Sequence, residues 1–255
     1  MIRFFRHIRQ NLIMENKTSK YFKYAIGEII LVVAGILIAL QVNNWNIKRI
    51  ERQSEIKYLT NIKLDLQKDL VTLNEQIDVR IKKQNVTKSL ISHINGNNII
   101  EDLDKLAKNV FATINEERFT PNNSTYNELA SSGNLSLIEN DSIKQLLLDL
   151  EELYKTNIFA IEHEAFEYKE YINKSLFAYV DLDKLKTIYY EGKSVESQNI
   201  NFEDFNGLLN SLEYKNGLAI SNIISKGFIP MYEKIQDKST TIINIINKEI
   251  QSKND

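Results

Sequence analysis

The chain has 255 residues, no cysteine, and 32 Lys+Arg against 34 Asp+Glu, a net charge of −2. That balance excludes a nucleic-acid binder carried by bulk basic charge, and the missing cysteine excludes disulfides, thiolate metal sites and a cysteine nucleophile. Only 8 Gly and 2 Pro argue against an all-β or Gly-rich nucleotide-binding fold and for long helices.

The amino-terminal segment carries Arg3, Arg6, Arg9, Lys17, Lys20 and Lys23 against Glu15 alone. Phe4, Phe5, Ile8, Leu12 and Ile13 share one helical face there. Two readings stand: a helix lying on an anionic inner leaflet, or a plain basic tail that sets topology. Thr18 or Ser19 is placed to cap the helix that follows.

Ala25–Val42 is 18 residues with one charge, Glu28. At about 1.5 Å per residue it covers roughly 27 Å, close to a hydrocarbon core of about 30 Å. Tyr21, Phe22 and Tyr24 on one side and Trp45 on the other match the two aromatic belts of a membrane span. A core helix of a soluble protein would need cover on every side. A cleaved signal is disfavoured by the long basic head and by Gln41, Val42, Asn43 and Asn44, which offer no small-x-small site. The segment reads as one uncleaved span. Six basic residues precede it and four follow closely (Lys48, Arg49, Arg52 and Lys57), which favours the amino terminus inside. Glu28 lies about one turn within the span, where a carboxylate is costly and a partner helix is one reason to keep it. Gly35 and Ala39 form a small-xxx-small pair that admits close helix approach. Glu28, Gly35, Ala39 and Trp45 are therefore the candidates for membrane or partner-helix contact.

Beyond the span, Leu59, Ile62, Leu66, Leu70, Leu73, Ile77 and Ile81 follow an eleven-residue repeat of about 3.67 residues per turn. Lys63, Asp65, Lys68, Asp69, Asp78, Lys82 and Lys83 fall mostly off that stripe. This predicts a long stalk helix over 46–96, continuous with the span or nearly so. Its stripe packs within the chain or on a parallel second copy. Asn95–Asn98 ends it, with Gly96 as the turn residue and His93 placed to favour the last carbonyls. A shorter amphipathic helix follows over 99–115, then a loop over 119–124. Thr125 with Glu128 spells a capping box, and Ser131–Ser132–Gly133 stops the helix it starts. Asn140 or Asp141 caps a long helix to Tyr179. Its aromatics, including Tyr154, Phe159, Phe166 and Tyr168, read as core filling. A stretch near 184–190 and helices over 202–227 and 231–251, broken at Pro230, close the chain before a frayed tail.

Chemistry is sparse. His7, His93 and His163 form no zinc-helix or di-iron spacing, and no phosphate-loop or nucleophile-elbow motif occurs. His163, Glu167 and Glu170 share a face that reads as a solvated acidic stripe. No catalytic residue, metal or cofactor is expected, and the chain is not read as an enzyme. The polar segment 119–138 stands out. It is either a tight corner whose Asn and Ser fill local caps, or a recognition surface with Asn122, Asn123, Tyr126, Asn127 and Asn134 as candidates.

The blocks Tyr24–Glu28, Gly35–Gln41 and Asn43–Trp45 resemble the amino-terminal signature of a family of single-span membrane proteins abundant in Bacteroidota, especially flavobacteria. Thr125–Leu129 with Ser131–Leu135 also resembles that family, a domain of unknown function. The resemblance implies a helical membrane protein and no particular activity.

The reading is all-α. A basic segment (1–20) precedes a single transmembrane helix (21–45), a stalk helix (46–96) and an antiparallel helical bundle outside the cytoplasm (97–255). The chain sits in the cell inner membrane. It is expected to bind a protein partner, or a second copy through its transmembrane and stalk helices, and no nucleic acid. A scaffold role comes first. A ligand sensor lacking its own output domain is the alternative, and an enzyme the least favoured.

Overall fold

The computed structural model describes residues 18–114, 116 and 118–251. The amphipathic reading of residues 1–14 and the frayed tail past Gln251 lie outside the described residues. So do the side chains of Thr18 and Ser19, and with them the expected cap. The regular elements among the described residues are all helical, without a strand.

The chain divides into two compact units, 1–57 and 58–255. Helix α1 (Thr18–Ile94) is 77 residues long and shared by both. In the first unit it is an apolar rod. Ile29, Ile30, Leu31, Val32, Val33, Ile36, Leu37, Ile38 and Leu40 are all exposed. A helix satisfies its own backbone hydrogen bonds, so such a rod is stable in lipid and unfavourable in water. Among the described residues it is the one helix long and apolar enough to cross a membrane.

In the second unit α1 is followed by α2 (Leu103–Ala112), α3 (Ser124–Ser131), α4 (Asp141–Glu167), α5 (Lys174–Tyr179), α6 (Leu182–Glu191), α7 (Asn206–Leu209) and α8 (Leu212–Gln251). The end of α1 is local chemistry. Gly96 takes φ +70°, the Asn97 N–H donates to the Ser92 carbonyl and the Gly96 N–H to that of His93. That is the left-handed cap expected of Gly. His93 does not serve the carbonyls; its Nδ1 accepts from the Ile100 N–H at 2.9 Å, pinning the returning chain. Asp102 caps α2, Asn140 caps α4 through Ser142 and Ile143, and Asp181 caps α6. The Thr125–Glu128 capping box does not form. α3 starts at Ser124 without a side-chain cap, because Thr125 donates to Asp65 at 2.6 Å and Glu128 accepts from Tyr58 at 3.0 Å.

Three helices carry the main core. From Leu59 onward the buried residues of α1 are Leu59, Ile62, Leu66, Asp69, Leu73, Gln76, Arg80, Lys83, Thr87 and Leu90. Their spacing alternates three and four, a heptad seam of 3.5 per turn rather than the eleven-residue stripe. Ile81 is exposed, while Asp69 and Lys83, expected on the outside, lie in the seam. Helix α4 repeats the spacing from Ile143 to Glu164, and α8 from Tyr214 to Ile246. Asn140 bonds Glu249, Lys238 bonds Asp149, and Tyr168 meets Ser221, so α4 and α8 run antiparallel.

Two features of these helices depart from expectation. α4 reaches α5 through a π-helical turn, Tyr168–Asn173, packed against Gly217. A Cβ at Gly217 would sit 3.0 Å from the Tyr171 Cβ and 3.1 Å from the Ile172 Cγ1. And α8 is unbroken: Pro230 lies inside it, facing solvent. A proline inside a helix costs about 3 kcal/mol. Phe228, Tyr232 and Ile235 are buried around it, and each such burial returns roughly 1.5–3 kcal/mol. The region 202–211 is accordingly not the start of a long helix but short turns leading to Leu212. A second core joins Leu90, Leu106, Val110, Tyr168, Leu185 and Phe205 at the other end of the unit.

Candidate interaction surfaces

The polar segment 119–138 folds as a corner stitched to α1 and α4. Asp69, fully buried, accepts from the Asn122 N–H at 2.9 Å, from Asn122 Nδ2 at 2.7 Å and from the Tyr154 hydroxyl at 2.8 Å. Asn123 Nδ2 donates to Glu151 at 3.2 Å. Asn157 Nδ2 donates to the Phe119 carbonyl at 3.1 Å. Burial first, and then the Asp69 charge, push the Tyr154 phenol far up, so it stays a donor. Asp65, Asn122, Asn123, Tyr126, Glu151 and Tyr154 surround a hollow of about 20 Å³, room for a single water. Burial also raises Tyr126. Asn134 starts a 3₁₀ turn after Gly133 and lies half-buried, while Asn127 is exposed. Asn122 and Asn123 thus each donate to a carboxylate of the chain itself, and of the five candidates Asn122 and Asn127 are exposed.

Sequence reasoning missed the ionic centre of the core. Arg80 forms a two-pronged pair with Glu164, one contact being Nη2–Oε2 at 2.8 Å. Its guanidinium lies 4.0 Å from the centre of the Phe228 ring. Burial opposes the Arg80 charge, but hydrogen bonding and attraction to Glu164 outweigh it, and Arg80 is held further up. One turn on, Lys83 lies 4.1 Å from the Tyr168 ring centre, and Asn222 donates to Thr87 at 2.9 Å. The signal was the three–four alternation through Asp69, Gln76, Arg80 and Lys83. It is invisible to a search for apolar periodicity. Arg80 and Glu164 face each other across the seam, while Asp69 is held by Asn122 and Tyr154 and Lys83 lies over the Tyr168 ring.

Between α4 and α8 lies an open hollow of about 320 Å³ lined by Phe159, Ala160, His163, Ile224, Gly227 and Met231. The aromatics of α4 therefore divide: Tyr154 and Tyr168 fill the core, while Phe159 and Phe166 face solvent. His163 approaches Glu167 at 3.8 Å, and no group of three metal-ligating side chains occurs among the described residues.

In the first unit Gly35, Ala39 and Trp45 are exposed and Glu28 is half-buried, all on α1. Arg49 lies over the Trp45 ring at 5.7 Å, an aromatic–cation contact.

A family profile matches residues 28–210, from within the apolar rod to the turn before α8. The chain belongs to DUF6090, a family of unknown function. The match takes in Glu28, Gly35, Ala39, Trp45, the 119–138 corner and the Arg80–Glu164 pair, and excludes α8. No curated protein and no solved structure matches the chain.

Proposed function

We propose that this DUF6090 chain is a single-pass inner-membrane protein. Its amino terminus is cytoplasmic, and residues 58–255 form a helical bundle outside the cytoplasm that scaffolds an envelope protein. The observation that carries the reading is the apolar rod of α1, exposed on every side and continued without a break to Ile94. Burial in lipid is the environment that such a surface fits. The six-to-four basic bias supports that orientation. Gly35 and Ala39 offer the span a flat face for a partner helix. A binding rather than catalytic role is supported by the engagement of these core side chains within the chain itself: Arg80 with Glu164, Asp69 with Asn122 and Tyr154, and Lys83 with the Tyr168 ring.

The test is fractionation of cells expressing the full chain, with reporters fused after Asp255. The expected result is alkali-resistant membrane retention with activity only from the periplasmic reporter. Release by alkaline carbonate, or activity only from a cytoplasmic reporter, overturns the anchoring or the orientation respectively.

A further inference from the structure

We infer that the hollow bounded by α5, α6 and the turn over 200–205 binds a free α-amino acid with an apolar side chain of leucine size. The hollow measures about 140 Å³, close to the roughly 150 Å³ of a cavity that admits a benzene ring. Its floor is Leu185 and Phe205, 2% and 1% exposed, with Val180 and Ile200 half-buried beside them. One wall is Tyr179, whose ring lies against Gly207: a Cβ there would sit 2.6 Å from the Tyr179 Cδ1. Glycine at 207 is what lets the ring close that side.

The rim carries both signs of charge. Asp181 and Lys184, three residues apart at the start of α6, share one side of that helix with Leu185. Asp204 comes from the 200–205 turn, next to Phe205. Each carboxylate is half engaged. Asp181 Oδ1 accepts from the Asp183 and Lys184 N–H groups at 3.2 and 3.3 Å, and Asp204 Oδ2 accepts from the Asn201 N–H at 2.9 Å. Among the described residues the second oxygen of each accepts no hydrogen bond, and the half-buried Lys184 ammonium is in no ion pair or hydrogen bond. Local bonds fix the groups where they stand: Asp181 caps α6, and Asn201 with Asp204 forms a complete capping box. Groups held in place before a ligand arrives lower the ordering cost of binding it.

Charge selects the occupant. A plain carboxylate would be repelled by Asp181 and Asp204, and a plain amine by Lys184. A zwitterion answers both. Its ammonium faces the two aspartates, its carboxylate faces Lys184 at the positive end of α6, and its side chain rests on Leu185 and Phe205. Neither hollow described above offers this. The one beside Tyr154 has room for a single water, and the one over Gly227 has His163 as the one ionisable group of its lining. The site lies within residues 58–255 and does not depend on whether α1 spans a membrane.

The test is equilibrium dialysis of the full chain in mild detergent against radiolabelled L-leucine. Saturable binding of one leucine per chain is expected. Isocaproate, which lacks the ammonium, and isoamylamine, which lacks the carboxylate, should each compete about tenfold less well or worse, the worth of one hydrogen bond to a charged group. Lys184→Met and Asp204→Asn should each weaken leucine binding by a similar factor with ellipticity unchanged, since asparagine at 204 keeps an oxygen for the Asn201 N–H. Gly207→Ala, which drives the Tyr179 ring aside, should weaken it too, whereas Phe159→Ala, on α4 outside the hollow, should not. Absence of saturable leucine binding overturns the proposal. So does competition by the amine or the carboxylate equal to that of leucine, because the site then reads one charge only. Leucine binding that survives both Lys184→Met and Asp204→Asn also overturns it, by placing the ligand elsewhere.

Discussion

Removing one half of the Arg80–Glu164 pair should be far more damaging than removing both. The two side chains are 1% and 7% exposed, each the other's principal counter-charge, and Arg80 also covers the Phe228 ring at 4.0 Å. Arg80→Leu strands a carboxylate in the seam, and Glu164→Leu strands a guanidinium. Orphaning one member of a buried pair costs about 3–5 kcal/mol. Replacing both with apolar residues of similar volume is often neutral or stabilising. We therefore expect each single variant to lose about 3–5 kcal/mol. The double Arg80→Leu/Glu164→Leu should fall within about 1 kcal/mol of the native chain, giving a coupling energy of several kcal/mol. The assay is urea unfolding of the full chain in mild detergent, followed by ellipticity, with the four proteins compared as a double-mutant cycle. A loss under about 1 kcal/mol for Arg80→Leu, the size of a solvent-exposed pair, would refute a dry ionic centre.

Three further outcomes follow from the packing and the titrating groups. Gly217→Ala forces a methyl against Tyr171 and Ile172 at the π-helical turn and should cost about 1–3 kcal/mol by the same urea assay. Asp149 is held below its ordinary value by its hydrogen bonds from Lys238 and Gln145. The α4–α8 tie is thus complete above about pH 4 and lost as pH falls through the lower folded value. The stability gap between the native chain and Asp149→Asn should close on acidification across that window and persist at neutral pH. Burial raises Tyr154, Tyr168, Tyr214 and Tyr232 above the ordinary phenol value. Their contribution is full below about pH 10 and shrinks above it, as the unfolded chain ionises first. Phenolate absorbance should therefore show a fraction of tyrosines titrating only together with loss of ellipticity; free titration of all of them in the folded chain would contradict the burial.

What the residues settle alone is what short stretches settle by themselves. Ala25–Val42 lies in a helix long and apolar enough to cross a membrane, a property of its own side chains. Gly96 ends α1 because a left-handed residue is required there, and Asn140 begins α4 because its own side chain reaches the next N–H groups. Polar seam positions were not legible in this way. Arg80 and Lys83 look like surface residues until Glu164, Tyr168 and Phe228 arrive from more than eighty residues away and make burial affordable. The same arrival draws Thr125 and Glu128 out of their capping box, since a bond to Asp65 or Tyr58 competes with a local cap of similar strength. Pro230 was expected to break a helix on intrinsic cost, and long-range burial on both sides of it outweighed that cost. The tertiary structure also decided which aromatics of α4 face outward, because one face of that helix has α1 and α8 to cover it while Phe159 is 72% exposed.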